Sequence, residues 1–211
     1  GEKVGSLKRT KQSTLPQEKI PLLDYILLTD GEPHHFSEEL HTKLRQDIKI
    51  VTPREYSSSM SKNGFNNLKG LEEGQRVMLK KGNNFLFVSS YSTKNLATKK
   101  TMSSYVLEFD NGRNILITGD VLSSDSLREC LYNLRDEGKE IQMAFIYAGA
   151  VPFKDGNQEL AQSLNEEGAA DMVGLFQPKL AVIVQTDSLE SVKFDRVRFD
   201  EALKAQIFDG H

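Results

Sequence analysis

The chain has 211 residues, which is enough for one ordinary domain with a substantial hydrophobic core. Hydrophobic residues make up 38% and charged residues 27%, as is typical of a soluble globular protein, and no apolar run approaches the roughly 20 residues needed to span a bilayer. The net charge of −3, with both signs interspersed, argues against a dedicated nucleic-acid surface, and the single cysteine, Cys130, favours a reducing, cytoplasmic location.

The N-terminal half predicts an extended arm followed by alternating strands and helices. Residues 1–20 are polar and basic without a period, and we interpret them as an arm before one domain over residues 21–211. An apolar run over residues 22–29 is typical of a strand that is covered on both faces. The elements that follow are a helix, a strand, a helix and a turn, over residues 37–47, 48–52, 54–63 and 70–75.

From residue 76 the apolar period changes to two, which predicts antiparallel hairpins. The first hairpin turns at residues 81–84, and the second at 110–113, where Asn-Gly between two apolar runs is a strong hairpin signal. The remaining elements alternate helix and strand, over residues 123–137, 142–147, 157–176, 179–184 and 198–205. Hairpins within such a series indicate two mixed sheets packed face to face, with helices on the outer faces.

Acids and histidines concentrate in the loop Thr29-Asp30-Gly31-Glu32-Pro33-His34-His35-Phe36, directly after the first apolar run. A loop at the end of a buried strand presents side chains on a rigid support. Asp, Glu and His together form the ligand set that holds zinc, manganese or iron. On these residues alone, the alternative is a polar turn that leads into the helix beginning at Ser37.

Four segments in this order resemble the metallo-β-lactamase superfamily. Residues 24–36 resemble its strand and metal loop, whose pattern is Thr/Ser-His-x-His-x-Asp-His. A second likeness is to the hairpin that ends in the family's Gly-Asp, here Gly119-Asp120. Residues 165–170 and 175–179 resemble the helix and the turn ahead of its final strand. The resemblance implies a four-layer αββα sandwich, and the most similar subgroup includes lactonase-like and phospholipase-D-like members.

The resemblance also implies that the first metal site of the family has lost its histidines here. Asp30 and Glu32 stand at the two loop positions that are histidines in the family. The third histidine would fall near Tyr91, where the chain has none, and Tyr91 is therefore a candidate for contact with a substrate. Asp30, Glu32 and Asp120 in one pocket would need a cation, and oxygen ligands favour manganese, magnesium or calcium over zinc.

The second site keeps more of its ligands. The resemblance assigns His34, His35 and Asp120 to the metal, with Asp120 at the bridging position and with His35 and Asp120 as the catalytic residues. Gln185 stands near the last histidine of the family and is the other candidate for substrate contact. Two imidazoles and a carboxylate suffice for one zinc or manganese ion with an open position. The alternative is that the two histidines form the first turn of a helix and Asp120 caps another.

The function that the resemblance implies is a hydrolase with a weakened or single-metal site. Its small-molecule substrate would be an ester, a lactone or a phosphodiester, attacked by a water whose pKa the metal lowers. The alternative is a catalytically inactive pseudoenzyme that binds no metal and serves as a binding or scaffold domain. No nucleic-acid or membrane partner is expected.

The arm also bears on assembly. Family members usually have several strands before the metal loop, whereas only the arm over residues 1–20 precedes it here. An incomplete sheet leaves an unpaired edge, and such edges pair readily with another chain. We therefore expect either a homodimer or a chain whose N-terminal strands are missing.

Overall fold

The computed structural model describes residues 3–4, 7–8, 19–32, 35–95, 99–120, 125–149, 152–155, 158–161, 163–186 and 194–209. The helices are α1 (Glu38–Lys43), α2 (Arg54–Lys62), α3 (Asp125–Asp136), α4 (Glu166–Phe176) and α5 (Arg196–Asp209). The strands are β1 (Lys3–Val4), β2 (Leu7–Lys8), β3 (Tyr25–Leu27), β4 (Lys49–Pro53), β5 (Leu68–Leu71), β6 (Arg76–Lys81), β7 (Asn84–Lys94), β8 (Thr101–Phe109), β9 (Asn114–Ile117), β10 (Ile141–Tyr147), β11 (Pro152–Asp155), β12 (Gln158–Ala161) and β13 (Leu180–Val184). Within these residues, no helix has both the length and the apolar character that crossing a bilayer requires.

The larger sheet has six strands in the order β13-β10-β9-β8-β7-β6. The strands β6 to β9 pair antiparallel with their neighbours, whereas β9, β10 and β13 run parallel. Both predicted hairpins are confirmed: the β6–β7 register closes at Lys81 opposite Asn84, and the β8–β9 register closes at Glu108 opposite Asn114. The antiparallel half of the sheet is therefore built from contacts that are local in sequence.

The smaller sheet consists of β3, β4 and β5, and its described pairings are all parallel. The prediction of a strand covered on both faces over residues 22–29 was wrong in part, because Leu22 is 86% exposed and β3 begins only at Tyr25. Among the described strands, β3 lies at the edge of this sheet. Residues 70 and 71, predicted as a turn, end β5 instead, because they pair with β4.

Two helices are shorter than the sequence predicts. α1 ends at Lys43, since Leu44 adopts an extended conformation, with ψ at 145°. The region over residues 157–176 is helical only from Glu166 onward, and β12 occupies part of the remainder. Asn165 sets this boundary, because its side chain accepts a hydrogen bond from the backbone of Gly168 and caps the helix.

Three apolar clusters separate four layers, and they confirm the αββα arrangement. One cluster, which includes Leu127, packs α3 and α4 on the outer face of the larger sheet. A second, which includes Ile50 and Tyr56, packs α1 and α2 on the smaller sheet. The third lies between the sheets and contains Val51 and Tyr105. Ile50 and Val51 point to opposite faces, as the period of a strand requires.

A polar contact links α2 to the larger sheet beside the site described below. Oε2 of Glu55 accepts hydrogen bonds from the backbone and the hydroxyl of Thr101, at 2.9 and 2.6 Å, and from Nζ of Lys94 at 3.0 Å. These contacts, with the Thr101 hydroxyl contributing most, lower the pKa of Glu55 from 4.5 to about 2. The charged carboxylate is therefore the form that the fold favours.

We expect Glu55→Gln to reduce stability at neutral pH, by less than about 1 kcal/mol because the side chain is 41% exposed. A pKa lower in the folded state than in the unfolded state stabilises the fold above pH 4.5, and this contribution is lost as the pH falls towards about 2. Urea unfolding of both proteins across this range should show their stabilities converging in acid. A difference that stays constant with pH would contradict the assignment.

Candidate metal centre

The site forms where strands from both sheets end at one edge of the sandwich. Asp30 follows β3 of the smaller sheet, and Asp120 follows β9 of the larger one. β9, β10 and β13 are parallel, so their carboxyl ends lie together, and Tyr147 and Gln185 come from the ends of the latter two. In α/β proteins this edge is where side chains converge on a ligand.

Two hydrogen bonds join the sheets next to the site. The hydroxyl of Tyr105 donates to the backbone oxygen of Leu28 at 2.7 Å, and the backbone N–H of Ser103 donates to the oxygen of Thr29 at 2.7 Å. Tyr105 and Ser103 are fully buried, so neither bond competes with water. The loop that carries Asp30 is therefore held against β8 where it leaves the smaller sheet.

Gly119 allows the segment that carries Asp120 to approach this junction. Its φ is +58°, in the left-handed region that favours glycine. A Cβ atom at this position would lie 2.6 Å from Cβ of Thr29 and 3.0 Å from the backbone oxygen of Ser103. The glycine thus satisfies a backbone conformation and a close contact between the sheets together.

Asp30, His35 and Asp120 form the centre of the site. Nδ1 of His35 lies 3.1 Å from Oδ2 of Asp30, and Nε2 lies 3.2 Å from Oδ2 of Asp120. The side chains are 8%, 1% and 5% exposed, for His35, Asp30 and Asp120 respectively. Thr29 holds the ring as well, with its hydroxyl 3.2 Å from Nδ1. Two carboxylates therefore flank one imidazole in a nearly dry environment.

The electrostatics of the cluster favour a positive charge. Burial lowers the pKa of His35, but hydrogen bonds to Asp120 and Asp30 and the attraction of their charges outweigh it and raise the pKa from 6.5 to about 10. Burial raises the pKa of Tyr147, and the charges of Asp120 and Asp30 add to this effect. The Tyr147 phenol is consequently a hydrogen-bond donor at neutral pH, with its ring centroid 6.0 Å from that of His35.

Gln185 reaches the cluster through an unusual backbone conformation. Its φ is +64°, which is uncommon for a residue other than glycine. Its Nε2 lies 3.3 Å from Nε2 of His35. Its Oε1 is buried and makes no hydrogen bond within the described part of the chain. A buried amide oxygen on a residue that contacts His35 is a ligand atom that a cation could use.

The residues present fit a single divalent cation. Asp30, His35 and Asp120 each offer one ligand atom, and these atoms lie within 4.8 Å of one another. Carboxylate oxygen and imidazole nitrogen are ligands for zinc and for manganese. Three protein ligands with further positions open is the arrangement typical of catalytic metal sites.

The other predicted site residues lie in different places. His34 falls outside the described residues. Glu32 is near the cluster but pairs with Lys100, whose Nζ lies 3.2 Å from its Oε1. Tyr91 lies on β7, where it packs against the cluster between α3 and the larger sheet and hydrogen-bonds with Cys130. The structure thus brings Asp30, His35, Asp120 and Gln185 together, and places Tyr91 on the other face of the sheet.

Sequence reasoning missed Thr29 and Tyr147. Thr29 occupies the first position of the loop pattern, where a hydroxyl next to a ligand-bearing segment was a usable signal. Tyr147 ends an apolar strand, and nothing in its own neighbourhood distinguishes it from a core residue. Only the parallel pairing of β10 with β9 and β13 brings it beside Asp120 and Gln185.

Comparison with solved structures shows the type of fold. An isothiocyanate hydrolase from Delia radicum gut bacteria matches with a TM-score of 0.74 and 15% identity, over 97% of this chain and 81% of the other. A possible metal-dependent hydrolase from Veillonella parvula matches with a TM-score of 0.68 and 11% identity, over 90% of this chain and 72% of the other. A metallo hydrolase from the hyperthermophilic archaeon Ignicoccus hospitalis matches with a TM-score of 0.64 and 16% identity, over 86% of this chain and 72% of the other. No protein-family model and no curated protein sequence matches the chain.

These similarities confirm the metallo-β-lactamase type of fold that the sequence resembles. The chain shares its fold with these hydrolases, and the described residues include a three-residue cluster that could hold a metal ion. At this level of identity the likeness concerns the fold alone.

We expect Gly119→Ala to destabilise the protein by more than the roughly 1 kcal/mol that a positive φ alone costs alanine. The added methyl group would meet Thr29 and the Ser103 backbone, so the sheets would have to separate at the site. Gly112→Ala is the matched control, since Gly112 has a φ of +78° but no atom within 4 Å of its Cβ position. Equal losses of unfolding free energy in urea for the two variants would contradict the close approach.

We expect His35 to be protonated at neutral pH in the metal-free protein. Its folded pKa of about 10 exceeds the unfolded value of 6.5, so its contribution to stability is complete below pH 6.5 and is lost as the pH rises towards 10. NMR titration of the imidazole checks this directly. Asp30→Asn should lower the His35 pKa, whereas titration near 6.5 in the wild type would show that the carboxylates do not hold the proton.

Proposed function

We propose that this chain is a metal-dependent hydrolase that holds one divalent ion on Asp30, His35 and Asp120. The observation that carries the proposal is the convergence of three buried ligand atoms, within 4.8 Å of one another, at the edge where both sheets end. Burying two carboxylates and an imidazole costs free energy unless a charge or a hydrogen bond compensates, which makes this cluster a candidate functional site.

The structural relatives support the reaction class. The three similar structures are described as an isothiocyanate hydrolase, a possible metal-dependent hydrolase and a metallo hydrolase. We infer hydrolysis of a small molecule for this chain as well. The sequence resembles a subgroup with lactonase-like and phospholipase-D-like members, so we infer that the bond cleaved is that of an ester, a lactone or a phosphodiester.

The residues around the cluster have distinct tasks in this proposal. A divalent ion would supply a water of lowered pKa and would polarise the substrate oxygen. Asp30 and Asp120 provide the negative charge that holds the ion, and Thr29 orients the ring of His35 through Nδ1. The phenol of Tyr147 and the amide of Gln185 can donate hydrogen bonds to the oxygen on which charge develops. In ester hydrolysis the acyl C–O bond breaks, the water oxygen bonds to the acyl carbon, and a proton passes to the leaving alkoxide.

Zinc and manganese both suit this ligand set. An imidazole nitrogen and two carboxylate oxygens are common ligands of each, and the buried Oε1 of Gln185 would add an oxygen that manganese accepts more readily. His34 remains a predicted further ligand.

A second candidate function is a metal-free binding domain. The observation that favours it is that both ring nitrogens of His35 already contact carboxylates, at 3.1 and 3.2 Å. A protonated imidazole in this position contacts both carboxylates and offsets one of their two buried charges without an ion. The fold would then present its pocket to a ligand or partner without hydrolysing it.

We expect the protein, purified without added metal, to contain about one equivalent of a transition metal by elemental analysis. Asp120→Asn keeps the shape of the side chain but removes its charge, and it should lower metal affinity by roughly tenfold or more in calorimetric titrations with zinc and manganese. Asp136→Asn is the control, because its carboxylate is 75% exposed and lies outside the site.

Chelation separates the two candidate functions. A bound metal should raise the unfolding temperature, and a chelator should lower it in the wild type and in Asp136→Asn but not in Asp120→Asn. A wild-type protein that is free of metal and whose stability is unaffected by chelators and by added zinc or manganese would favour the binding domain.

A further inference from the structure

We propose that the substrate of this site is uncharged, and that its apolar part enters a cavity between the two sheets beside His35. This class of substrate, which rests on the proposed function, is a small carboxylic ester or lactone and excludes phosphodiesters.

The cavity lies directly next to the ligand cluster and has a volume of about 300 Å³. Both sheets contribute to its walls. Its lining residues are Leu27, Leu28, Thr29, His35, Tyr105, Ile117, Tyr147 and Gln185. Leu27 and Ile117 also pack in the apolar cluster between the sheets, and His35 belongs to the ligand cluster. A cavity of about 150 Å³ lined by apolar side chains binds benzene, so this one has room for a short acyl chain or a small ring.

The charges around the cavity do not suit an anion. Its lining contains no lysine or arginine among the described residues. Lys100 is near the ligand loop, but it pairs with Glu32 at 3.2 Å. Asp30 and Asp120 together carry the same charge, with opposite sign, as one divalent ion. A loaded site would therefore hold no excess positive charge, whereas phosphate recognition in proteins depends on cationic side chains or on several metal charges.

The polar groups of the cavity suit a carbonyl compound. Tyr147 and Gln185 line it beside His35, and both can donate hydrogen bonds to a neutral oxygen. Leu27, Leu28 and Ile117 offer apolar contact. An uncharged molecule with one carbonyl group and a few carbon atoms matches both halves of this lining.

The test uses two probes of similar size, neither of which the proposed reaction consumes. Cyclopentanone is an uncharged ring with a carbonyl group, and dimethyl phosphate is an anionic diester. Their binding is measured by NMR, through the amide shifts of the full chain, first without metal and then after loading with zinc or manganese. Cyclopentanone should bind in both states, with shifts at residues of the cavity lining, and dimethyl phosphate should bind in neither.

Ile117→Phe fills the cavity, and it should weaken cyclopentanone binding by roughly tenfold or more. Ile115→Phe is the matched control: Ile115 lies two residues earlier on β9, packs in the same cluster between the sheets, and does not line the cavity. It should bind the probe as the wild type does. If Ile117→Phe does not fold, Leu27→Phe fills the same cavity from the smaller sheet.

Either of two results would overturn the proposal: dimethyl phosphate binding as tightly as cyclopentanone, or cyclopentanone binding undiminished when the cavity is filled. Failure of the proposed function is a separate outcome. A chain that takes up no metal would refute the hydrolase, while the probe titrations of the metal-free protein would still report on the cavity and its preference for neutral ligands.

Discussion

The geometry of the site depends on how the two sheets are held together at one edge. Asp30 belongs to the smaller sheet and Asp120 to the larger, so a small shift between sheets would separate the two carboxylates. Apolar packing alone would tolerate such a shift, because it is not directional. The buried hydrogen bonds from Tyr105 to Leu28 and from Ser103 to Thr29 are directional, and they fix the relative position where the ligand loop begins.

A second constraint follows from the burial of two acids in one place. Asp30 and Asp120 are almost fully removed from water, and each must therefore contact a positive charge or strong hydrogen-bond donors. His35 satisfies both of them in the protein alone, and a divalent ion would do so more strongly. Protonated His35 or a divalent ion would each contact both carboxylates, the first offsetting one of the two negative charges and the second offsetting both. The two proposed functions therefore use the same arrangement of acids and differ in the cation that lies between them.

Local signals in the sequence predicted the parts of the fold that depend on local contacts. The Asn111-Gly112 turn and the period of two predicted the hairpin of β8 and β9, and the bounds of α2 were close to those observed. β5 was missed, because Leu68–Leu71 contains a glycine and has no alternation, and only pairing with β4 makes it a strand. The likeness of the loop to a family pattern pointed to Asp30 and His35, and the likeness of the hairpin pointed to Asp120; the structure brings the three together. Tyr147 could not be found in this way, because its position depends on the order of strands in the sheet.

The distances along the chain between the residues of the site have a consequence for the path of folding. Tyr105 and Leu28 are 77 residues apart, and Gln185 and His35 are 150 apart. The antiparallel hairpins close over short loops, whereas these contacts require long ones, whose closure entropy is larger. We expect the site to assemble last, after the sheets have formed. A ligand that binds only the completed site would then act mainly by slowing the first step of unfolding, and would lengthen the lifetime of the native state.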